Sequence, residues 1–196
     1  MMIIGLTGAV AMGKSTLSRM FRFHRIPVFD ADQKVHEILK NDQAVIAAIR
    51  KNFPKAVTRG AVDRKILGQI IFNDPDDRTK LESILHPYVW RARKKFLERH
   101  RRTRQAVVAL DIPLLFETGS YRATDLNITV SAPAFLQKIR AMQRPGMTVA
   151  RFNAIRASQL SDLEKRRRAD IVIPSGLGRA YTMRVLKRIL ASITEK

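Results

Sequence analysis

Eight residues near the start constrain this chain most: Gly8-Ala9-Val10-Ala11-Met12-Gly13-Lys14-Ser15, which match the pattern G-x-x-x-x-G-K-[ST]. A short apolar run, Ile3-Ile4-Gly5-Leu6-Thr7, precedes them, and a helical pattern from Lys14 to about Arg25 follows. A strand, a glycine turn and a helix in that order aim successive backbone N–H groups and the positive end of a helix at one point, a geometry made for phosphate oxygens. Lys14 is long enough to reach β- and γ-phosphates, and the Ser15 hydroxyl can lie on Mg²⁺. The expectation is a nucleoside triphosphate site.

The rest of the pattern fits that start. Pro27-Val28-Phe29, Ala106-Val107-Val108-Ala109-Leu110, Leu126-Asn127-Ile128-Thr129-Val130 and Ile171-Val172-Ile173 read as four further strands, the second of them apolar throughout, as a buried parallel strand should be. Strands separated by helices predict an α/β fold with a parallel sheet covered on both faces. The helical stretch from about 35 to 105 is too long for a simple crossover and is expected to form a cap beside the sheet. Within it, Asn73-Asp74-Pro75 reads as a turn or helix start and His86-Pro87 as the start of another helix. The last helix is expected to bury Leu177, Tyr181, Val185 and Ile189 as one stripe.

Composition narrows the chemistry. Hydrophobic residues make up 45% of the 196, enough for a real core, and the absence of cysteine excludes disulfides, thiolate metal sites and a cysteine nucleophile. No apolar run approaches the roughly 20 residues of a membrane span, and Met1-Met2-Ile3-Ile4 runs into the glycine turn without the charged and apolar regions of a secretory signal, so the cytoplasm is the simplest location. The net charge of +20 favours anionic partners. Arg91 to Arg104, with eight Lys/Arg against one Glu, and Lys165 to Arg168 read first as solvated helix faces. Trp90 and Phe96 have the spacing of a helix core stripe rather than of a base-stacking platform, which makes nucleic-acid binding the lesser reading.

Further candidates lie where strands end. Asp111 closes the apolar strand, where a carboxylate can orient Mg²⁺ directly or through water, or simply cap a turn. Asp30 and Asp32 close the second strand, at the edge where α/β folds bind ligands. One can cap the following helix while the other accepts a proton from a substrate hydroxyl or holds metal or ribose. Gln137, Arg140 and Arg144 share one helix face before Pro145-Gly146 breaks the helix. A mobile basic segment there can close over ATP and place guanidinium groups on the transferring phosphoryl, or form surface ion pairs instead. The chain contains neither N-K-x-D nor D-x-x-G, which disfavours a GTPase, and its four histidines lack metal-ligand spacing.

Together these residues resemble the bacterial dephospho-coenzyme A kinases along nearly the whole chain. The similarity is carried by Leu6-Thr7-Gly8 through Gly13-Lys14-Ser15-Thr16, Val28-Phe29-Asp30-Ala31-Asp32, Val62-Asp63-Arg64, Leu81-Glu82-Ser83-Ile84-Leu85-His86-Pro87, Asp111-Ile112-Pro113-Leu114-Leu115-Phe116-Glu117, Arg144-Pro145-Gly146, Gln159, Lys165-Arg166 and Ala169-Asp170. The resemblance implies a P-loop kinase with a five-stranded parallel core (about 1–34, 105–137 and 169–196), a helical substrate-binding subdomain (about 35–104) and a lid (about 138–168). It implies transfer of the ATP γ-phosphoryl to the ribose 3′-hydroxyl of dephospho-CoA, with Mg²⁺. The sequence leaves the oligomeric state open, with a monomer favoured. By the same resemblance, Gly8, Ala9, Val10, Ala11, Met12, Gly13, Lys14, Ser15 and Thr16 bind ATP. Asp32 activates the hydroxyl with Asp30 in support, and Arg140 and Arg144 clamp phosphates. Asp32, Arg64, His86, Pro87, Leu114, Leu115 and Glu117 line the acceptor site, while Ser15 and Asp111 serve the metal. A P-loop kinase for another small acceptor, such as a nucleoside monophosphate, is the alternative. The phosphate loop departs from the glycine-rich form common in the family at Ala9, Ala11 and Met12; if residue 11 needs φ > 0, alanine costs about 1 kcal/mol or more there. Ser175-Gly176 stands where relatives often carry Asn, and Asp63 where many carry it.

Overall fold

A computed structural model describes residues 1–194. The chain divides into two compact units, Met1–Asp30 with His100–Lys196, and Ala31–Arg99.

The first unit is built on a five-stranded parallel sheet of β1 (Met2–Thr7), β2 (Val28–Asp30), β5 (Val107–Asp111), β6 (Leu126–Ser131) and β7 (Ile171–Pro174), in the order β2-β5-β1-β6-β7. Every residue of β5 is buried, as its continuous apolar run requires. Leu6 pairs with Asp111 and Asp30 pairs with Asp111 across the ladder, so β1, β5 and β2 finish together at one edge. Helices α1 (Lys14–Phe23) and α9 (Arg179–Thr194) pack Leu17, Phe21 and Leu186 onto Ile4, Leu6, Ile128 and Ile173. Each wholly buried leucine or isoleucine of this kind is worth about 1.5–3 kcal/mol. The stripe on α9 differs in phase from the sequence expectation: Thr182 and Leu186 are buried with Met183, Val185, Ile189 and Leu190 beside them, while Tyr181 is exposed and Leu177 lies exposed before the helix. Packing against the sheet sets the phase, which the spacing of the apolar residues alone does not resolve.

Arg25 and Arg104 both take left-handed backbone (φ 57° and 52°) just past a helix end. Ile26 N then bonds Phe21 O and Gln105 N bonds His100 O, closing each helix by a Schellman-type turn and feeding the chain into β2 and β5. The usual glycine signal is absent at both places.

The turn from β1 to α1 shows the same strain inside the phosphate loop. Ala11 has φ 61°, so the left-handed conformation considered from the sequence is present. Its methyl is buried with Ala141 and Phe152.

The second unit is helical with one small hairpin. Helices α2 (Ala31–Asn41), α3 (Gln43–Asn52), α4 (Arg64–Asn73) and α5 (Pro75–Arg102, whose last residues enter the first unit) surround a core of Ile38, Val45, Ile49, Leu67, Leu81 and Leu85. Asp42 and Asp63 accept hydrogen bonds from the first free amides of α3 and α4, and Asp74 does the same for Asp76 and Asp77 in α5. Between α3 and α4, β3 (Val57–Thr58) and β4 (Ala61–Val62) form an antiparallel pair. The sequence reading missed it because its two-residue turn is Arg59-Gly60, both at φ > 0, where Asn-Gly is the recognisable form.

His86-Pro87 does not start a helix, contrary to the sequence expectation. Pro87 sits inside the 28-residue α5, which begins at Pro75. Leu81 and Leu85 on one side of the proline and Tyr88 and Val89 on the other all pack on the same core, and that burial outweighs the lost backbone bond. Trp90 is 58% exposed and so is not part of the helix's core stripe. Arg91, Lys94, Lys95, Arg99, Arg101 and Arg102 are exposed, with the Arg91 guanidinium 4.5 Å over the Tyr88 ring.

Three substitutions have expected outcomes in urea titrations. Pro87→Ala restores a helix-interior amide and raises the unfolding free energy by about 1–3 kcal/mol. Ala11→Gly relieves about 1–2 kcal/mol of left-handed strain but loses a buried methyl, about 0.8 kcal/mol, and loosens the unfolded chain by about 0.4–1 kcal/mol. It therefore stays within about 1 kcal/mol of the parent, whereas Ala11→Val, overpacked and β-branched at positive φ, falls by about 2 kcal/mol or more.

Candidate active site

Helices α3 and α4 have side-chain caps, as do α7 (Val149–Ala157, Thr148) and α8 (Asp162–Arg168, Ser161). Helix α1 has none: its N-cap is Gly13 at φ 99°, and its first turn holds no acidic residue. Its leading amides are thus left for an anion, and the helix dipole adds to their pull. Both glycines are fixed by close approach. A Cβ at Gly8 would stand 2.9 Å from Val130 O, and one at Gly13 would stand 3.0 Å from Ser175 Oγ.

The loop is braced on every side. Val10 N donates to Gln159 Oε1 (3.1 Å) and Gln137 Nε2 donates to Val10 O (2.8 Å), so two side-chain amides grip one residue by both of its backbone polar groups. Ala132 N donates to Met12 Sδ (3.2 Å). Ser175 Oγ donates to Met12 O (2.6 Å) and accepts from Arg140 Nη1 (2.9 Å), while Arg140 Nη2 donates to Ser175 O (2.8 Å). This places the Arg140 guanidinium beside the loop. Arg144, past the end of α6 (Ala134–Met142), is exposed. The sequence expectation puts Gln137, Arg140 and Arg144 on one helix face; α6 ends at Met142 with Gln143 as its C-cap, so Arg144 lies beyond the helix and only Gln137 and Arg140 keep that placement. Ser175 has no task in the sequence; only the fold brings residue 175 to residue 12.

Lys14 forms an ion pair with Asp111, which is 2% exposed. Asp30, one strand away in register, carries Arg22 at 3.8 Å. Thr7 Oγ1 donates to Pro113 O (2.9 Å), tying the end of β1 to the segment leaving β5. In that segment Leu114 is half-buried and Leu115 is wholly buried, packed where a Cβ on Gly5 would strike its Cδ2 at 2.9 Å. Glu117 accepts from Lys165 Nζ (2.7 and 3.0 Å) and from Leu160 N (2.9 Å). Lys165 is fully buried. Burial pulls its ammonium below the ordinary lysine range; Glu117 and Asp162 oppose that pull and the Lys14 charge adds to it.

The other residues of interest belong to the second unit. Asp32 is exposed in the first turn of α2. Arg64 opens α4 and donates from Nη2 to His36 Nε2 (2.6 Å), which fixes that ring nitrogen as an acceptor. His86 and Pro87 are exposed on α5. Asp63 is the α4 N-cap, a place that Asp and Asn fill equally well.

The comparisons with known proteins agree with this geometry. A family model described as CoaE, dephospho-CoA kinase, matches residues 2–177. The dephospho-CoA kinase of Rhodospirillum rubrum is 47% identical over 188 residues, 95% of this chain and 89% of that protein. Among solved structures, TT1252 from Thermus thermophilus superposes with a TM-score of 0.84 at 33% identity over 97% of both chains. The dephospho-CoA kinase from Campylobacter jejuni gives 0.66 at 28% identity over 95% of this chain and 96% of that one. The parallel sheet, the uncapped helix behind Gly13-Lys14-Ser15 and this similarity over nearly the full length place the chain in the dephospho-CoA kinase family, as an ATP-dependent phosphotransferase of P-loop fold.

Proposed function

We propose that this chain transfers the γ-phosphoryl of ATP to the ribose 3′-hydroxyl of dephospho-CoA, giving CoA and ADP. The observation that carries the reading is the open amide end of α1 joined to the Lys14–Asp111 pair, in a chain whose family match runs from residue 2 to 177.

In this reading Gly8 to Thr16 cradle the ATP phosphates, Lys14 lies along the β- and γ-phosphates, and Arg140 and Arg144 face the transferring group. Phosphoryl transfer needs charge neutralisation and alignment more than covalent help, and these three cations supply the charge. Asp32 accepts the proton of the 3′-hydroxyl as its oxygen bonds to the γ-phosphorus. The bond from that phosphorus to the bridging oxygen breaks, and ADP leaves with the electron pair. Asp30 supports Asp32 through local charge. Arg64, His86 and Pro87 bind the acceptor together with Leu114 and the segment that Leu115 and Glu117 hold in shape.

Mg²⁺ fits the residues present. Ser15 has an exposed hydroxyl and Asp111 a carboxylate, both hard oxygen donors. Among the described residues there is no cluster of three or more His, Cys, Asp or Glu that could hold a metal. That suits an ion which keeps its waters and relies on nucleotide phosphates rather than on a protein cage. When bound it supplies further neutralisation of the phosphoryl oxygens. Among the described residues no helix is long and apolar enough to cross a membrane, and we place the reaction in the cytoplasm, carried out by a single chain.

The test is ADP release with ATP, Mg²⁺ and a panel of acceptors. Turnover with dephospho-CoA and none with nucleoside monophosphates is expected; the opposite pattern rejects the acceptor assignment. Lys14→Ala and Asp32→Asn should each lower kcat by about 10²-fold or more with folding intact. Near-normal kcat in Asp32→Asn would remove Asp32 as the base.

A further inference from the structure

We infer that Lys165 is a positioning residue of the active site: a buried ammonium that fixes the place where the two strands flanking the phosphate loop come to an end. The inference rests on the kinase reading above and adds to it a residue that touches neither substrate.

The geometry is specific. Lys165 Nζ donates to Pro113 O (3.0 Å), and the same oxygen accepts from Thr7 Oγ1 (2.9 Å). Thr7 is the last residue of β1 and abuts Gly8, the first residue of the phosphate loop. Pro113 lies two residues past Asp111, the partner of Lys14, and between them Ile112 N donates to Leu6 O (3.0 Å). One carbonyl therefore joins three things: the exit of β1, the exit of β5 and the ammonium. Burial orders that ammonium. It has no exposed surface, and Glu117 holds it with both carboxylate oxygens.

The stretch that carries Lys165 is stitched to the sheet at further points. Gln159 takes Val10 N, Leu160 N donates to Glu117, and Asp162 Oδ2 accepts from Ser131 Oγ (2.7 Å) at the end of β6. From residue 159 to residue 165 the chain thus contacts the phosphate loop, the exit of β5 and the exit of β6. A buried ion pair is a poor way to gain stability, because desolvation consumes most of the attraction. It is a good way to hold one geometry, since every alternative position leaves a charge unpaired. A cation here, gripped by both oxygens of Glu117 and bonded to Pro113 O, fixes the register of the reacting groups.

The experiment compares the parent with Lys165→Met, Glu117→Gln and the double variant Lys165→Met/Glu117→Gln, reading melting temperature, kcat, and KM for ATP and for dephospho-CoA. The double variant removes both charges together, so it is the one built to fold. The inference expects its melting temperature to return to near the parent's while kcat stays at least fivefold lower and both KM values move less than threefold. Recovery of kcat to within fivefold along with the melting temperature overturns the inference and leaves a purely structural pair. So does a loss confined to KM for dephospho-CoA, which would make Glu117 an acceptor contact. If neither Lys165 variant folds, Glu117→Gln decides by the same kcat and KM limits. A parent that turns over no dephospho-CoA would instead refute the kinase reading and is distinguishable at the outset.

Discussion

The organisation of the site depends on one constraint: β1 and β5 run parallel, side by side and in a register that sets Leu6 opposite Asp111. Given that register, the amide-rich turn leaving β1 and the carboxylate ending β5 cannot avoid each other, and Lys14, on the first turn after the loop, meets Asp111. Parallel strands need long connections. The chain makes use of this, since the stretch between β2 and β5 contains the whole of the second unit.

Polar groups in the first unit are arranged in two ways. Where the backbone is meant to stay put, its amides and carbonyls are taken up by side chains: Val10 by Gln137 and Gln159, Met12 O by Ser175, Pro113 O by Thr7 and Lys165. Where a ligand is to come, at the head of α1, no side chain takes the amides. The contrast between braced and open backbone within eight residues tells more about function than either feature alone, because buried polar groups are normally satisfied.

What could be read from the sequence divides along the same line. The loop, the strand-end position of Asp111 and the Gln137–Arg140 face were legible because each depends on spacing within one strand, turn or helix. The five strands were legible from their apolar runs. Ser175 and the Lys165–Glu117 pair were not, because their partners lie 163 and 48 residues away along the chain. The helix through Pro87 and the hairpin at Arg59-Gly60 were missed for a different reason: tertiary burial overrode a local signal in one, and an arginine stood in for the usual turn residue in the other.

The sheet's outer strands have a consequence for how copies of this chain meet. β2 has three residues and β7 has four, the last of them Pro174. Short rims with a proline present few unpaired amides to a foreign strand, and such blunt rims discourage edge-to-edge growth. Sheet extension from one copy to the next is disfavoured on both flanks of the five-stranded sheet.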